Sequence, residues 1–189
     1  GVRRGRMNLE IVKDLLTPNE YSRPGRKLHQ IRGIVIHWVA NPMTTPLQNR
    51  KFFEQRRHGR NGYGSAHFII GIDGQILQII PTDEMAYHVG SREYTEYARV
   101  KFGDYPNNCT IGIELCHPDW TGRFSRETLT SAARLSARLC AEHDLDPAED
   151  ITTHHRIVGW KGCPKWFVQN PEKFCAFKIA VYEKMRGVA

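Results

Sequence analysis

Apolar residues recur along this chain with two different periods, and the switches between them give an alternating α/β order. In residues 8–16, the positions Leu9, Ile11, Val12, Leu15 and Leu16 follow helical spacing, so a short amphipathic helix ending near Pro18 is expected. Residues 21–28 mix proline, glycine and basic groups and read as an extended lead-in. Residues 33–39 form a continuous apolar run that suits a buried strand, 46–57 read as helix, and the Gly- and Arg-rich residues 58–65 read as a loop. Two apolar-rich runs, 66–72 and 75–80, flank Asp73-Gly74, which is a hairpin signal. Residues 110–115 read as a further core strand. Within 126–145, Leu129, Ala132, Ala133, Ser136, Leu139 and Cys140 share one helical face. Residues 150–153 read as a short strand leading into His154-His155. Asn170-Pro171 supplies an N-cap and a proline at the first position of a C-terminal helix.

The order implies a single α/β domain over residues 1–189, with residues 1–6 set apart as a cloning remnant or a short basic arm. A chain of 189 residues with 40% hydrophobic and 25% charged residues has room for one real core. No apolar stretch is long enough to cross a bilayer, and no apolar segment near residue 1 resembles a signal peptide, so membrane insertion is not expected. The formal charge of +7 favours a polyanionic partner such as nucleic acid, an anionic membrane face or a bacterial cell wall. The cations are scattered, with one modest cluster at Arg56, Arg57 and Arg60, and no nucleic-acid-binding signature accompanies them, so nucleic acid is not the expected partner.

Chemistry concentrates at three places. His37 closes the run Ile34-Val35-Ile36, His154-His155 lies far downstream, and Cys163 follows in Lys161-Gly162-Cys163-Pro164. Two imidazoles and one thiolate make a three-ligand set that holds a catalytic zinc with its fourth position open. A structural zinc site more often uses Cys-x-x-Cys pairs, and none occurs. The five cysteines, Cys109, Cys116, Cys140, Cys163 and Cys175, are odd in number and lack framework spacing, which argues against a disulfide scaffold. Cys140 and Cys175 sit in helical apolar patterns and are expected to be buried free thiols. Glu114 is an acid inside an apolar strand, a costly placement unless the carboxylate has a partner or a task. A zinc deaminase would need His-x-Glu and Pro-Cys-x-x-Cys, and neither is present.

Five ordered stretches carry a resemblance: Gly33-Ile34-Val35-Ile36-His37, Ala66-His67-Phe68-Ile69-Ile70 with Asp73-Gly74, Ala86-Tyr87-His88-Val89-Gly90, Thr110-Ile111-Gly112-Ile113-Glu114, and Lys161-Gly162-Cys163-Pro164. Over roughly residues 30–175 the chain resembles the N-acetylmuramoyl-L-alanine amidases of the type-2 superfamily, which also includes phage lysozyme-like amidases and peptidoglycan recognition proteins. The lead-in Leu16-Thr17-Pro18-Asn19 with Ser22-Arg23-Pro24-Gly25 is most similar to endolysin or sporulation-type amidases. The resemblance implies a central mixed β-sheet flanked by helices, with a zinc site at one end of the sheet. It implies cleavage of the amide between the lactyl group of N-acetylmuramic acid and L-alanine of the stem peptide, at the bacterial cell wall. Without a signal-like segment, such an enzyme would stay in the cytoplasm until released, as a phage endolysin does, or leave by another route. A peptidoglycan-recognition module that binds without cutting is the alternative.

By the same resemblance His37, His154 and Cys163 would be the metal ligands, with His155 permitted by its spacing from Cys163. In relatives an acid stands where this chain has Arg156. Glu114 would act as the acid/base group and Lys161 would face the oxyanion of the tetrahedral intermediate. Ala66 stands where some relatives place a catalytic tyrosine, which shifts the burden to Glu114. His88 and Trp38 would line the substrate groove, and His67 would be a core or supporting residue.

Overall fold

The structure is a computed structural model that describes residues 9–187, so the arm expected at residues 1–6 lies outside the described residues. The sheet is built on two six-residue runs that are apolar almost throughout, as strands buried on both faces must be. These are β2 (Gly33–Trp38) and β5 (Thr110–Leu115), which pair in parallel. Around them lie β1 (Ile11–Lys13), β3 (Phe68–Ile70), β4 (Ile76–Gln78) and β6 (Ile151–Thr153), in the spatial order β1-β4-β3-β5-β2-β6. Strands β3, β5, β2 and β6 run parallel, β4 is antiparallel to β3, and β1 is parallel to β4. This is the mixed, helix-flanked sheet expected from the sequence.

Alternation along β2 and β5 gives the two faces different partners. Ile34, Ile36, Ile111, Ile113 and Leu115 join a core with Leu135 and Leu139 of α3 (Arg126–His143) and Phe177 and Val181 of α7 (Pro171–Met185). Each fully buried side chain of this kind contributes about 1.5–3 kcal/mol. Val35 lies on the other face with Ala98 and Phe102 of α2 (Glu96–Phe102) and Ile157 of α5 (His154–Val158). There Gly33 admits the Phe102 ring, which a Cβ would meet at 2.7 Å. The remaining helices are α1 (Pro46–Gln55), opened by a Thr45–Gln48 capping box, α4 (Pro147–Asp150) and α6 (Lys165–Gln169). Among the described residues, no helix is long and apolar enough to cross a membrane.

Two expectations are corrected. The segment expected as a helix over 8–16 is instead the edge strand β1, in register with β4 from Ile11↔Ile76 to Lys13↔Gln78. Beyond it the Leu16 N–H donates to the Ile79 carbonyl, and the Arg50 guanidinium donates to the carbonyls of Asp14 and Leu15. A nine-residue helix is too short to stand alone, and these tertiary bonds claim its backbone. The short strand expected before His154 is β6, and at its end the Thr153 side chain accepts from the Arg156 N–H and starts α5 at His154. Cys175 is exposed rather than buried, because α7 turns Phe177 and Val181 inward; all five cysteines are free.

Candidate metal and catalytic site

Register places the first pair of functional side chains. His37 of β2 is the partner of Glu114 on β5, and in a parallel ladder such partners emerge on the same face. Both lie one residue from the carboxyl end of their strands. His154 immediately follows β6, which pairs with β2 on its other side. The site therefore sits outside the carboxyl ends of adjacent parallel strands, where open α/β sheets commonly bind ligands. Cys163 arrives on the loop between α5 and α6. His155 braces that loop, its N–H donating to the Cys163 carbonyl at 2.9 Å and its Nδ1 lying 2.9 Å from the Lys161 carbonyl.

His154, not His155, shares a cluster with His37 and Cys163, whose donor atoms all lie within 4.8 Å of one another. His37 Nδ1 is 3.1 Å from His154 Nδ1 and 3.7 Å from Cys163 Sγ. Tetrahedral zinc, with bonds of about 2.05 Å to nitrogen and 2.3 Å to sulfur, spaces such donors about 3.4 and 3.6 Å apart, so the three groups fit that ion. Their ionisation also fits. Burial, with neighbouring His154, His88 and Lys161, holds His37 well below the usual histidine range. Burial followed by Lys161 pulls His154 down to about 3, so both rings are neutral. Burial and the Glu114 charge push the Cys163 thiol far up, and a cation between the three donors is what would release its proton.

Glu114 stands beside this cluster, partly open to the cavity, with its Oε2 enclosed and unpartnered. Burial raises its carboxyl to about 8, against an opposing pull from Lys161. Lys161 is exposed and lines the same cavity. A carboxyl poised near neutrality next to a lysine, with three soft or borderline donors facing one another, can transfer protons and stabilise negative charge at one place.

The other residues singled out by sequence are also located. Trp38 is half-buried on the cavity wall, stacked on His117 with ring centroids 4.7 Å apart and meeting Trp120 edge-on. His88 touches the cavity but is only 6% exposed; its Nδ1 is 3.0 Å from His37 Nε2 and its Nε2 is 3.0 Å from Thr110 Oγ1. His67 is wholly enclosed, accepting from the Gly112 N–H and facing the Glu84 carbonyl. The cavity encloses about 750 Å³, and Phe52, Arg56, Tyr63, Tyr87 and Tyr105 complete its wall. Sequence reasoning did not assign those five. They converge from several segments, although Tyr87 lies in one of the stretches that carry the resemblance and Arg56 in the one modest cluster of cations.

The model of the family N-acetylmuramoyl-L-alanine amidase matches residues 27–166, well over half of the chain. A probable N-acetylmuramoyl-L-alanine amidase of Bacillus licheniformis is 31% identical over 175 residues, covering 92% of this chain and 47% of that protein. The N-acetylmuramoyl-L-alanine amidase BlyA of Bacillus subtilis (strain 168) is 32% identical over 175 residues, covering 89% of this chain and 46% of that protein. The chain thus spans about half the length of the curated relatives it matches. Among solved structures, the PlyG catalytic domain superposes with a TM-score of 0.73 at 19% identity, covering 93% of this chain and 95% of that one. The catalytic domain of XlyA gives 0.69 at 22% identity, covering 91% and 99%. These two likenesses establish a shared fold.

Proposed function

The chain belongs to the N-acetylmuramoyl-L-alanine amidase family, and from that premise we propose that it is a single catalytic domain hydrolysing the bond between N-acetylmuramic acid and L-alanine in bacterial cell-wall peptidoglycan, with zinc held by His37, His154 and Cys163. The observation that carries this reading is the convergence of those three donors within 4.8 Å at the floor of a cavity they share with Glu114 and Lys161. Zinc, when bound, would activate water and polarise the scissile carbonyl.

The chain's own groups would do the rest. Glu114, as the carboxylate, would take a proton from the attacking water and pass it to the departing L-alanine nitrogen. Lys161 would offset negative charge on the carbonyl oxygen as the tetrahedral intermediate forms. Trp38 and the aromatic wall would hold the substrate against this floor. Burial keeps His37 and His154 neutral, as metal ligands must be, and a bound cation would restore the Cys163 thiolate and the Glu114 carboxylate.

The test is mass spectrometry of purified peptidoglycan after digestion, with and without a chelator and zinc add-back. Metal-dependent release of stem peptides with a free L-alanine amino terminus is expected. Cleavage within the glycan or the peptide would overturn the assignment of the bond. Peptidoglycan that is bound but left intact would make the chain a recognition module.

A further inference from the structure

We propose that His88 is a positioning residue that fixes the tautomer and ring orientation of His37, so that His37 presents a bare Nδ1 to the metal. The inference rests on the zinc reading above and assigns His88 a task inside the protein instead of on the substrate.

The polarity of one hydrogen-bonded chain carries the argument. For Nδ1 of His37 to be a ligand it must lack a proton, so the neutral ring carries its proton on Nε2. His88 Nδ1 lies 3.0 Å from that Nε2, which makes it the acceptor. His88 is then protonated on Nε2, which faces Thr110 Oγ1 at 3.0 Å. The Thr110 hydroxyl in turn donates to the Pro106 carbonyl at 2.8 Å. Every proton along His37, His88 and Thr110 then meets an acceptor, and the His88 Nε2–H meets two, the Thr110 hydroxyl and the Thr110 carbonyl. Reversing the chain would set a bare His88 Nε2 against the Thr110 carbonyl, 3.4 Å away and able only to accept, would leave the Pro106 carbonyl to the Cys109 N–H and thiol, and would put a proton on the ligand nitrogen.

The surroundings hold His88 for this role. The Asn107 side-chain oxygen accepts from the backbone N–H groups of both His88 and Val89, at 3.2 and 3.0 Å. The ring lies over Gly112, where a Cβ would come within 2.6 Å of its Cγ and Nδ1, so only glycine at that point of β5 leaves it room. The His37 and His88 rings meet edge to face with centroids 5.1 Å apart. Ligand histidines usually give their outer N–H to a carboxylate, a carbonyl or water. Here the acceptor is a neutral imidazole. Unlike a carboxylate in that place, it would add no negative charge beside a zinc ion, which favours a more electrophilic centre.

The experiment compares wild type, His88→Leu and His88→Asn for zinc affinity by chelator competition, with the His37 tautomer of the metal-free chain read by ¹⁵N NMR. The asparagine amide oxygen lies where Nδ1 stood and restores an acceptor, whereas leucine does not. The expected result is a bare Nδ1 on His37 in wild type, zinc affinity about 10–100-fold weaker in His88→Leu, and substantial recovery in His88→Asn. Wild-type zinc affinity in a folded His88→Leu protein overturns the inference; if KM alone rises there, His88 is a groove residue. Failure of a folded His88→Asn protein to recover, or a proton on His37 Nδ1, overturns it equally. If His88→Leu does not fold, His88→Phe takes its place, since its ring also lacks an acceptor for the His37 Nε2–H, and unchanged zinc affinity in that folded variant is the refuting result. A wild-type chain that takes up no zinc overturns the zinc reading of the whole site, and this inference with it.

Discussion

Replacing Glu114 with glutamine separates what the carboxyl costs from what it does. Burial raises this group from the ordinary 4.5 to about 8 in the metal-free chain. Because the folded value lies above the unfolded one, the folded chain keeps the proton longer. Stability therefore falls as pH rises from about 4.5 to about 8 and is flat above. At about 1.36 kcal/mol per unit, the full penalty is about 5 kcal/mol at most, and the partial opening of Glu114 to the cavity reduces it. Glutamine cannot ionise and escapes the penalty. Urea unfolding of the two metal-free proteins from pH 5 to pH 9 should show Glu114→Gln gaining about 2–5 kcal/mol on wild type, with the gain accruing up to pH 8. The zinc-loaded variant should retain its metal but lose about 100- to 10,000-fold in turnover, the usual contribution of a positioned acid/base group. A stability difference that stays constant across this pH range would refute the burial argument, and turnover at the wild-type rate would refute the acid/base role.

Cys163→Ser should lose zinc and peptidoglycan hydrolysis together, with metal content measured by inductively coupled plasma mass spectrometry. Retention of one equivalent of zinc would remove the thiolate from the ligand set. Lys161→Met should keep zinc and lower kcat about 100-fold by removing charge from the oxyanion position; a change in KM alone would make Lys161 a binding group. Away from the site, Arg23 Nε and Nη2 donate to the two carboxylate oxygens of Glu84 at 3.1 and 3.0 Å, and Nη1 donates to the Leu16 carbonyl. Glu84→Gln should cost about 3 kcal/mol in urea unfolding, because it leaves the guanidinium largely enclosed without its counter-charge. A loss below about 0.5 kcal/mol would place this pair with ordinary surface ion pairs.

The parts of this molecule legible in its sequence are those where one residue breaks a strong pattern. His37 and Glu114 are polar positions in otherwise apolar runs, and the pairing of those runs in register brings the two residues side by side. The resemblance already put His154 ahead of His155, and the physical reason lies in where β6 ends and in Thr153 capping the next helix, which no sequence pattern displays. Residues 8–16 misled because β1 pairs over only three residues, too few to distinguish a period of two from one of 3.6. His88 carried a motif but not its neighbour, since its contact with His37 spans 51 residues of sequence. The cavity wall was illegible for the same reason: Phe52, Tyr63, Tyr87 and Tyr105 converge only through the fold.

That wall has a practical meaning. The three proposed ligands and Glu114 hang from the ends of β2, β5 and β6 and from the loop after α5, whereas Phe52, Arg56 and Tyr63 belong to α1 and the Gly-rich segment behind it. The segment 52–63 contributes no donor to the cluster. Substituting Phe52 or Tyr63, both exposed, would change what the cavity admits, whereas Phe53 packs on the core with Ile69 and Leu77 and belongs to the foundation of the sheet. Part of the cavity wall is thus carried apart from the proposed ligands, while Trp38, Tyr87 and Tyr105 line the rest of it from other segments.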